Sequence, residues 1–317
     1  MPSEFELISR FFSRPTRQAV LGPGDDCALL APSAGMHLVI TTDMLVEGTH
    51  FLPGTDPWQL GWKVLAVSLS DLAAMGAEPR WALLAASLPE ACEAWLAPFA
   101  EGLFSCAGRY GVDLVGGDTT RGPLNLSLTA LGEVPAGTAL RRDRALPGDD
   151  LWVSGQPGLA ALGLAQLQGR TKLPAALAER CLAALQQPLP RVELGRLLRG
   201  LASAAIDVSD GLLADLGHIL ERSAVAAEVF VAQLPALPAG VDPVLARQCQ
   251  LAGGDDYELL FSACPETRNE VVELGKQLDL PLWRCGRLTA SDSHRLALLD
   301  ANGRELTINR KGFDHFG

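Results

Sequence analysis

The sequence has no C-x-x-C pair among its seven cysteines, and their odd number matches no disulfide framework. That spacing excludes the usual structural zinc site and predicts a reducing, cytoplasmic setting. Cationic charge is also short: 26 Lys and Arg against 37 Asp and Glu give a formal net charge of −11. Nucleic acid is therefore not an expected partner, because proteins that hold it set clustered Lys and Arg against phosphates. No stretch approaches the roughly 18 to 20 uninterrupted apolar residues that cross a bilayer, so no membrane partner is expected. The first dozen residues carry Glu4 and Glu6 where a secretory signal would be basic; Phe5, Ile8 and Phe12 at helical spacing predict a short amphipathic helix instead. Also missing are the G-x-x-x-x-G-K-[ST] loop, a Gly-rich loop followed by H-R-D and D-F-G, a nucleophile elbow and a Ser-His-Asp order. The two commonest nucleotide cradles and the familiar covalent mechanisms are thereby excluded.

What is present is enough apolar residue, 48% of 317, to fill two cores. Strand-like runs at His37–Thr42, Asp113–Val115, Leu124–Leu131, Leu151–Ser154 and Tyr257–Ser262 alternate with helix-like runs such as Trp58–Met75 and Leu212–Arg222, which predicts an α/β or α+β fold. Pro57 suits the first turn of one helix and Gly76 its stop, while Ser209 and Asp210 are candidate caps for another. The charged stretch Arg141–Asp150 with its Pro-Gly turn marks a boundary, giving expected domains 1–140 and 141–317. The pattern G-D-D-x-x-L-L occurs at Gly24–Leu30 and again at Gly254–Leu260; a single matching heptapeptide reads as convergent turn chemistry, not a repeat.

Aspartates recur at the ends of apolar runs: Asp25 and Asp26, Asp43, Asp118, Asp207 and Asp210, Asp255 and Asp256, with Asp71 inside a helix. Any one of them is more often a turn former or cap, and Asp71 also has Lys63 on nearly the same helix face as a possible partner. Recurrence tilts the reading toward a multi-metal site. Clustered carboxylates with hydroxyls such as Thr41 and Thr42 are the hard oxygen donors that Mg2+ prefers, and loops beyond strand ends are where α/β proteins bind ligands. A phosphorylated ligand would be repelled by so acidic a site unless cations stood between. Backbone N–H groups at Gly116, Gly117 and the Ser209-Asp210-Gly211 turn, with the forked Arg142, suit phosphate. His50 is a candidate ligand contact or a satisfied loop residue; His37 and His218 read as structural.

Taken together, GDDCALL, VITTDMLVEGTHF, VSLSDLAAMGAEP, VGGDTTRGPL, AIDVSDGLLADLGHI, AGGDDYELLF and KGFDHF resemble the thiamine-monophosphate kinase family, within the wider aminoimidazole ribonucleotide synthetase-like superfamily. The resemblance implies a two-domain synthetase-superfamily architecture: an N-terminal α/β domain that binds metal and ATP and dimerises, and a C-terminal ferredoxin-like α/β domain that completes the substrate site. It implies ATP- and Mg2+-dependent phosphorylation of thiamine monophosphate by a homodimer, with several Mg2+ ions per site. By matched motif, Asp26, Thr41, Thr42, Asp43, Asp71, Asp118, Asp207 and Asp210 resemble metal ligands. Gly117, Asp118, Arg142, Ser209 and Tyr110 resemble ATP contacts, and His50, Asp255 and Phe313 the thiamine monophosphate contacts; Asp43, Asp118 and Arg142 are the expected catalytic groups. The family commonly has Glu where Asp255 stands and Tyr or Trp where Phe313 stands. A related synthetase and a non-catalytic nucleotide-binding module are the rival readings.

Overall fold

The computed structural model describes residues 4–290, 295–307 and 312. Its chain divides into two compact units, one of Met1–Leu72 with Ala77–Gly137 and the other of Ala73–Gly76 with Thr138–Gly317.

The first unit runs α1 (Glu4–Leu7), β1 (Ala19–Leu21), β2 (Leu29–Leu30), β3 (Met36–Val46), α2 (Pro57–Ala74), β4 (Glu78–Leu88), α3 (Glu93–Tyr110), β5 (Asp113–Arg121) and β6 (Asn125–Pro135). The expected amphipathic start is α1 followed by a π-helical turn, Ile8–Phe12, that buries Phe11 and Phe12. Four strands form a sheet in the order β3-β6-β4-β5, with β4 and β5 parallel and the other pairs antiparallel. β1 and β2 make a separate hairpin.

From Leu38 onward β3 alternates. Leu38, Ile40, Thr42 and Met44 are exposed, while Val39, Thr41 and Asp43 are half-buried and Leu45 is buried, as a period of two dictates for a sheet with one covered face. α2 is apolar nearly all round, and every residue from Leu60 to Ser70 is buried, the pattern of a central helix. Close crossing with α3 makes this possible: a Cβ at Gly61 would stand 2.0 Å from the Phe99 carbonyl oxygen, and one at Gly102 would stand 1.8 Å from that of Trp58. Any larger side chain at either position would separate the helices. Each fully buried Leu on α2 contributes about 1.5 to 3 kcal/mol.

The second unit runs β7 (Asp150–Ser154), α4 (Leu159–Leu167), α5 (Ala175–Gln186), α6 (Val192–Leu198), β8 (Ala202–Asp207), α7 (Leu212–Ser223), β9 (Val225–Phe230), α8 (Pro243–Ala252), β10 (Leu259–Ala263), α9 (Arg268–Gln277), β11 (Leu282–Ala290) and β12 (Leu296–Leu299). Six strands order as β12-β9-β11-β7-β10-β8, antiparallel except for β12 with β9. Leu212, Leu213, Leu216, Ile219 and Leu220, spaced three and four apart on α7, pack on Leu151, Val153, Ala204 and Ile206 of the sheet. α7 is thereby fixed with its first turn beside the end of β8. Among the described residues, no helix is long and apolar enough to cross a membrane.

Candidate functional site

In the first unit β3 and α2 bring together three of the expected residues. Thr41 donates a short hydrogen bond from its hydroxyl to Asp71 Oδ2. Ser68, one turn earlier on α2, donates to Asp43 Oδ2 at 2.7 Å. Burial first, and the neighbouring Asp71 second, push the Asp43 carboxyl up to about 6 against the lowering effect of the Ser68 bond. Asp71 is therefore not simply a solvated helix position. Thr42 lies on the opposite, exposed face, sharing a hydrogen bond with Thr129 at 2.8 Å.

Asp118 is set apart from this group. Register places Asp43, Leu128, Leu84 and Gly117 in one row across the sheet, and Met44, Ser127, Ala85 and Asp118 in the next. Asp118 is exposed on the edge strand β5, with β6 and β4 between it and β3. Asp43 and Asp118 were expected in loops after short strands, but both lie inside longer ones, because pairing with β6 and β4 carries β3 and β5 past their polar residues. At Gly117, where φ is +152°, a Cβ would come 1.8 Å from the Leu84 carbonyl oxygen, so only glycine passes β4 there.

Asp26 is exposed in the β1–β2 hairpin loop, where its N–H donates to Asp25 Oδ1 at 2.9 Å. His50 closes the turn after β3. Its Nδ1 accepts the Val46 N–H at 3.0 Å, which leaves the ring proton of the neutral form on Nε2. Tyr110 ends α3, with the Arg109 guanidinium 5.8 Å from its ring centre.

In the second unit Asp207 is buried at the end of β8, and the next residues make the turn into α7. The expected capping by Ser209 or Asp210 is absent. Gly211 is the N-cap, with φ +126°, and no side chain caps there. Instead Asp215 Oδ2 accepts the N–H groups of Ser209, Asp210 and Gly211 at 3.1, 3.1 and 3.0 Å. Those donors, which the sequence offered to phosphate, are given to a carboxylate of the same chain, so any Ser209 contact to a ligand falls to its hydroxyl. Burial first, and Asp210 second, push Asp215 up to about 7 against the lowering effect of the three N–H bonds. Asp210, Asp215 and His218 bring one ligand atom each within 4.8 Å of one another; His218, read from sequence as merely structural, belongs to this group.

The Gly254-Asp255-Asp256 loop is tied to the same turn: Asp255 N–H donates to the Ser209 carbonyl at 2.8 Å and Tyr257 N–H to that of Val208 at 2.8 Å. Asp255 and Tyr257 are left-handed, at φ +68° and +52°, a cost for any residue but least for Asp and Asn. Tyr257 donates its hydroxyl to Asp255 Oδ1 at 2.9 Å. Asp256 turns away to cap α4, accepting from Gly158 at 2.6 Å and Ala160 at 3.3 Å. The two G-D-D loops thus do different work. Arg142 opens an exposed 3-10 turn, its carbonyl accepting from the Ser223 hydroxyl at 2.7 Å. Phe313 lies outside the described residues. Gly312 is described, and a Cβ on it would stand 2.5 Å from Ala214 Cβ and 3.0 Å from the Asp210 carbonyl oxygen.

Carboxylates and hydroxyls with raised proton affinity, crowded in each unit, fit a hard divalent cation that would relieve their mutual repulsion. Sequence reasoning missed Ser68 and Asp215. Ser68 had a signal, since it lies three residues before Asp71 on one helix face; Asp215 had only its acidity in an apolar helix.

Residues 24–134 match the model of the AIR synthase related protein N-terminal domain and residues 147–298 that of the C-terminal domain. Escherichia coli (strain K12) thiamine-monophosphate kinase is 46% identical over 321 residues, covering 99% of this chain and 98% of that one. The crystal structure of thiamine-monophosphate kinase from Stenotrophomonas maltophilia K279a is similar at TM-score 0.85 and 48% identity, covering 95% of each chain. AaThiL complexed with AMPPCP and TMP is similar at TM-score 0.77 and 29% identity, covering 90% of this chain and 89% of that one. With both domain models matched and near-complete similarity to such enzymes, this chain belongs to the thiamine-monophosphate kinase family.

Proposed function

We propose that this protein phosphorylates thiamine monophosphate to thiamine diphosphate with ATP as phosphoryl donor. The observation that carries the reading is similarity over the whole chain to thiamine-monophosphate kinases, one solved relative of which is complexed with AMPPCP and TMP. We further propose that the divalent cation is Mg2+, that the protein works as a homodimer, and that it resides in the cytoplasm.

The nucleophile is an oxygen of the substrate's own phosphate, which with a second pKa near 6 is largely dianionic at neutral pH. No general base is required. A bond forms between that oxygen and the γ-phosphorus as the bond from the γ-phosphorus to the ADP oxygen breaks, and the protein's task is alignment and charge neutralisation. In the first unit Asp43, Asp71, Thr41, Asp26 and Asp118 would hold Mg2+, and in the second Asp207 and Asp210; Thr42, whose side chain lies on the opposite face, would offer only its main chain. When bound, Mg2+ supplies neutralisation of the phosphate oxygens. Gly117 offers close backbone approach, and Ser209, Arg142 and Tyr110 offer nucleotide contacts. Arg142 suits phosphate because its exposed fork matches two oxygens. Asp255, held by Tyr257, and the neutral ring of His50 offer hydrogen bonds to thiamine monophosphate, with Phe313 an aromatic face for its cationic ring system.

The dimer is supported by the exposed face of β3, where Leu38, Ile40 and Met44 are 42%, 60% and 52% exposed along one row. An assay with ATP, Mg2+ and thiamine monophosphate, detecting thiamine diphosphate directly, tests the reaction. Product should form only with all three present. Efficient phosphorylation of free thiamine, which lacks the nucleophilic phosphate, would count against it.

A further inference from the structure

We propose that Asp215 is a positioning residue for this reaction: it holds the Ser209-Asp210-Gly211 backbone so that the Asp210 carboxylate is released from helix capping and kept for the cation. The inference rests on the reading of Asp210 as a metal ligand.

A helix leaves its first N–H groups without partners, and an Asp or Ser just before the first turn ordinarily supplies the acceptor. At α7 that side chain would be Asp210 or Ser209, and a carboxylate engaged in this way is turned onto its own backbone. Here the acceptor comes from within the helix. Asp215, 2% exposed and on the apolar side of α7 with Leu212 and Leu216, points back so that one oxygen, Oδ2, receives three successive N–H groups at 3.0 to 3.1 Å. Three convergent donors are a backbone anion nest, filled by a carboxylate of the same chain. The Ser209 carbonyl is held from the other side by the Asp255 N–H at 2.8 Å, so the turn is pinned through both its donors and an acceptor. Asp210 is left half-buried, its carboxylate within 4.8 Å of the Asp215 carboxylate and His218 ring. Groups that orient a metal ligand without touching the metal typically change metal affinity 10- to 100-fold when removed.

The test compares wild type with Asp215→Asn, which keeps shape and one acceptor, and Asp215→Ala, which keeps neither. Mn2+ alone is the probe, its free concentration followed by electron paramagnetic resonance. Amide hydrogen exchange over residues 208–212 and kcat and KM are measured beside it. Asp215→Asn should speed exchange there, weaken the tightest Mn2+ binding about tenfold or more and lower kcat, with KM for thiamine monophosphate nearly unchanged. Asp215→Ala should do more; if it does not fold, Asp215→Asn decides. Faster exchange with unchanged Mn2+ affinity would overturn the proposal, leaving Asp215 a purely structural brace, and unchanged exchange would overturn it too. Wild type that binds Mn2+ yet forms no thiamine diphosphate would defeat the proposed reaction while leaving the positioning comparison readable.

Discussion

The buried Ser68 hydroxyl donates to Asp43 Oδ2 at 2.7 Å and lies 3.4 Å from the Leu128 carbonyl oxygen, so the central helix α2 sets the orientation of a carboxylate on the edge strand β3. Ser68→Ala removes only that hydroxyl. Turnover should fall roughly 10- to 100-fold, as expected for loss of a group supporting a metal ligand, at a stability cost of about 1 kcal/mol. Steady-state kinetics at saturating Mg2+ and a urea denaturation midpoint check both halves. Unchanged kcat would show that Asp43 needs no such support.

Asp43→Asn and Asp118→Asn should each lower turnover by about two orders of magnitude or more with the melting temperature nearly intact, because charge neutralisation in phosphoryl transfer is lost while shape is kept. EDTA should abolish wild-type activity and added Mg2+ restore it. Retained turnover in Asp118→Asn alone would mean that the exposed edge of β5 stands outside the chemistry.

Glu133 predicts a pH dependence in stability. Burial alone would raise its carboxyl, but the Ser33 N–H at 2.6 Å, the Ser33 hydroxyl at 2.9 Å and the Arg80 guanidinium at 3.2 Å bring it below its ordinary 4.5. A depressed acid stabilises the fold above its unfolded pKa, and that contribution is lost as pH falls through the folded one. Glu133→Gln should therefore cost about 1 to 3 kcal/mol near neutral pH. The gap from wild type should close as pH drops below 4.5. Urea midpoints at several pH values measure it, and a gap that widened in acid would reverse the assignment.

Asp255 combines a left-handed backbone with a carboxylate held by the Tyr257 hydroxyl. Asn tolerates that conformation about as well as Asp, so Asp255→Asn should leave thermal stability nearly unchanged. It should raise KM for thiamine monophosphate several-fold, the scale of one weakened charge-assisted hydrogen bond, and leave KM for ATP alone. Equal KM values for wild type and variant would reassign the loop to turn formation.

Ile40→Asp introduces a charge into the exposed row Leu38, Ile40 and Met44. Since Ile40 is 60% exposed in the isolated chain, the folded protomer should tolerate it, whereas a dimer burying that row would be weakened strongly by an unpaired charge. Sedimentation velocity should show a shift toward monomer. An unchanged sedimentation coefficient would remove β3 from the interface.

The sequence by itself determined the family, through its motif set, and most of the elements that carry those motifs. α2 and α7 follow their predicted spans to within a residue, because apolar spacing and Pro57 are local signals. The oxygen-donor composition and the motif set were likewise legible, since residue type alone fixes what a cation prefers. Tertiary structure decided how those residues are used. Strand ends were misread because β3 and β5 are extended by their partners' hydrogen bonds, which no single strand encodes. The two G-D-D loops share a spelling, yet the Asp256 carboxylate caps α4 by accepting the N–H of Gly158, 98 residues away, while Asp26 is exposed in a hairpin and only its own N–H is engaged, donating to the neighbouring Asp25 Oδ1. Nor does the sequence say that Asp215, rather than Asp210 or Ser209, receives the N–H groups ahead of α7. That choice follows from packing α7 on the sheet through Leu212, Leu216 and Ile219, which fixes the helix so that the carboxylate of its fourth residue reaches back to the turn.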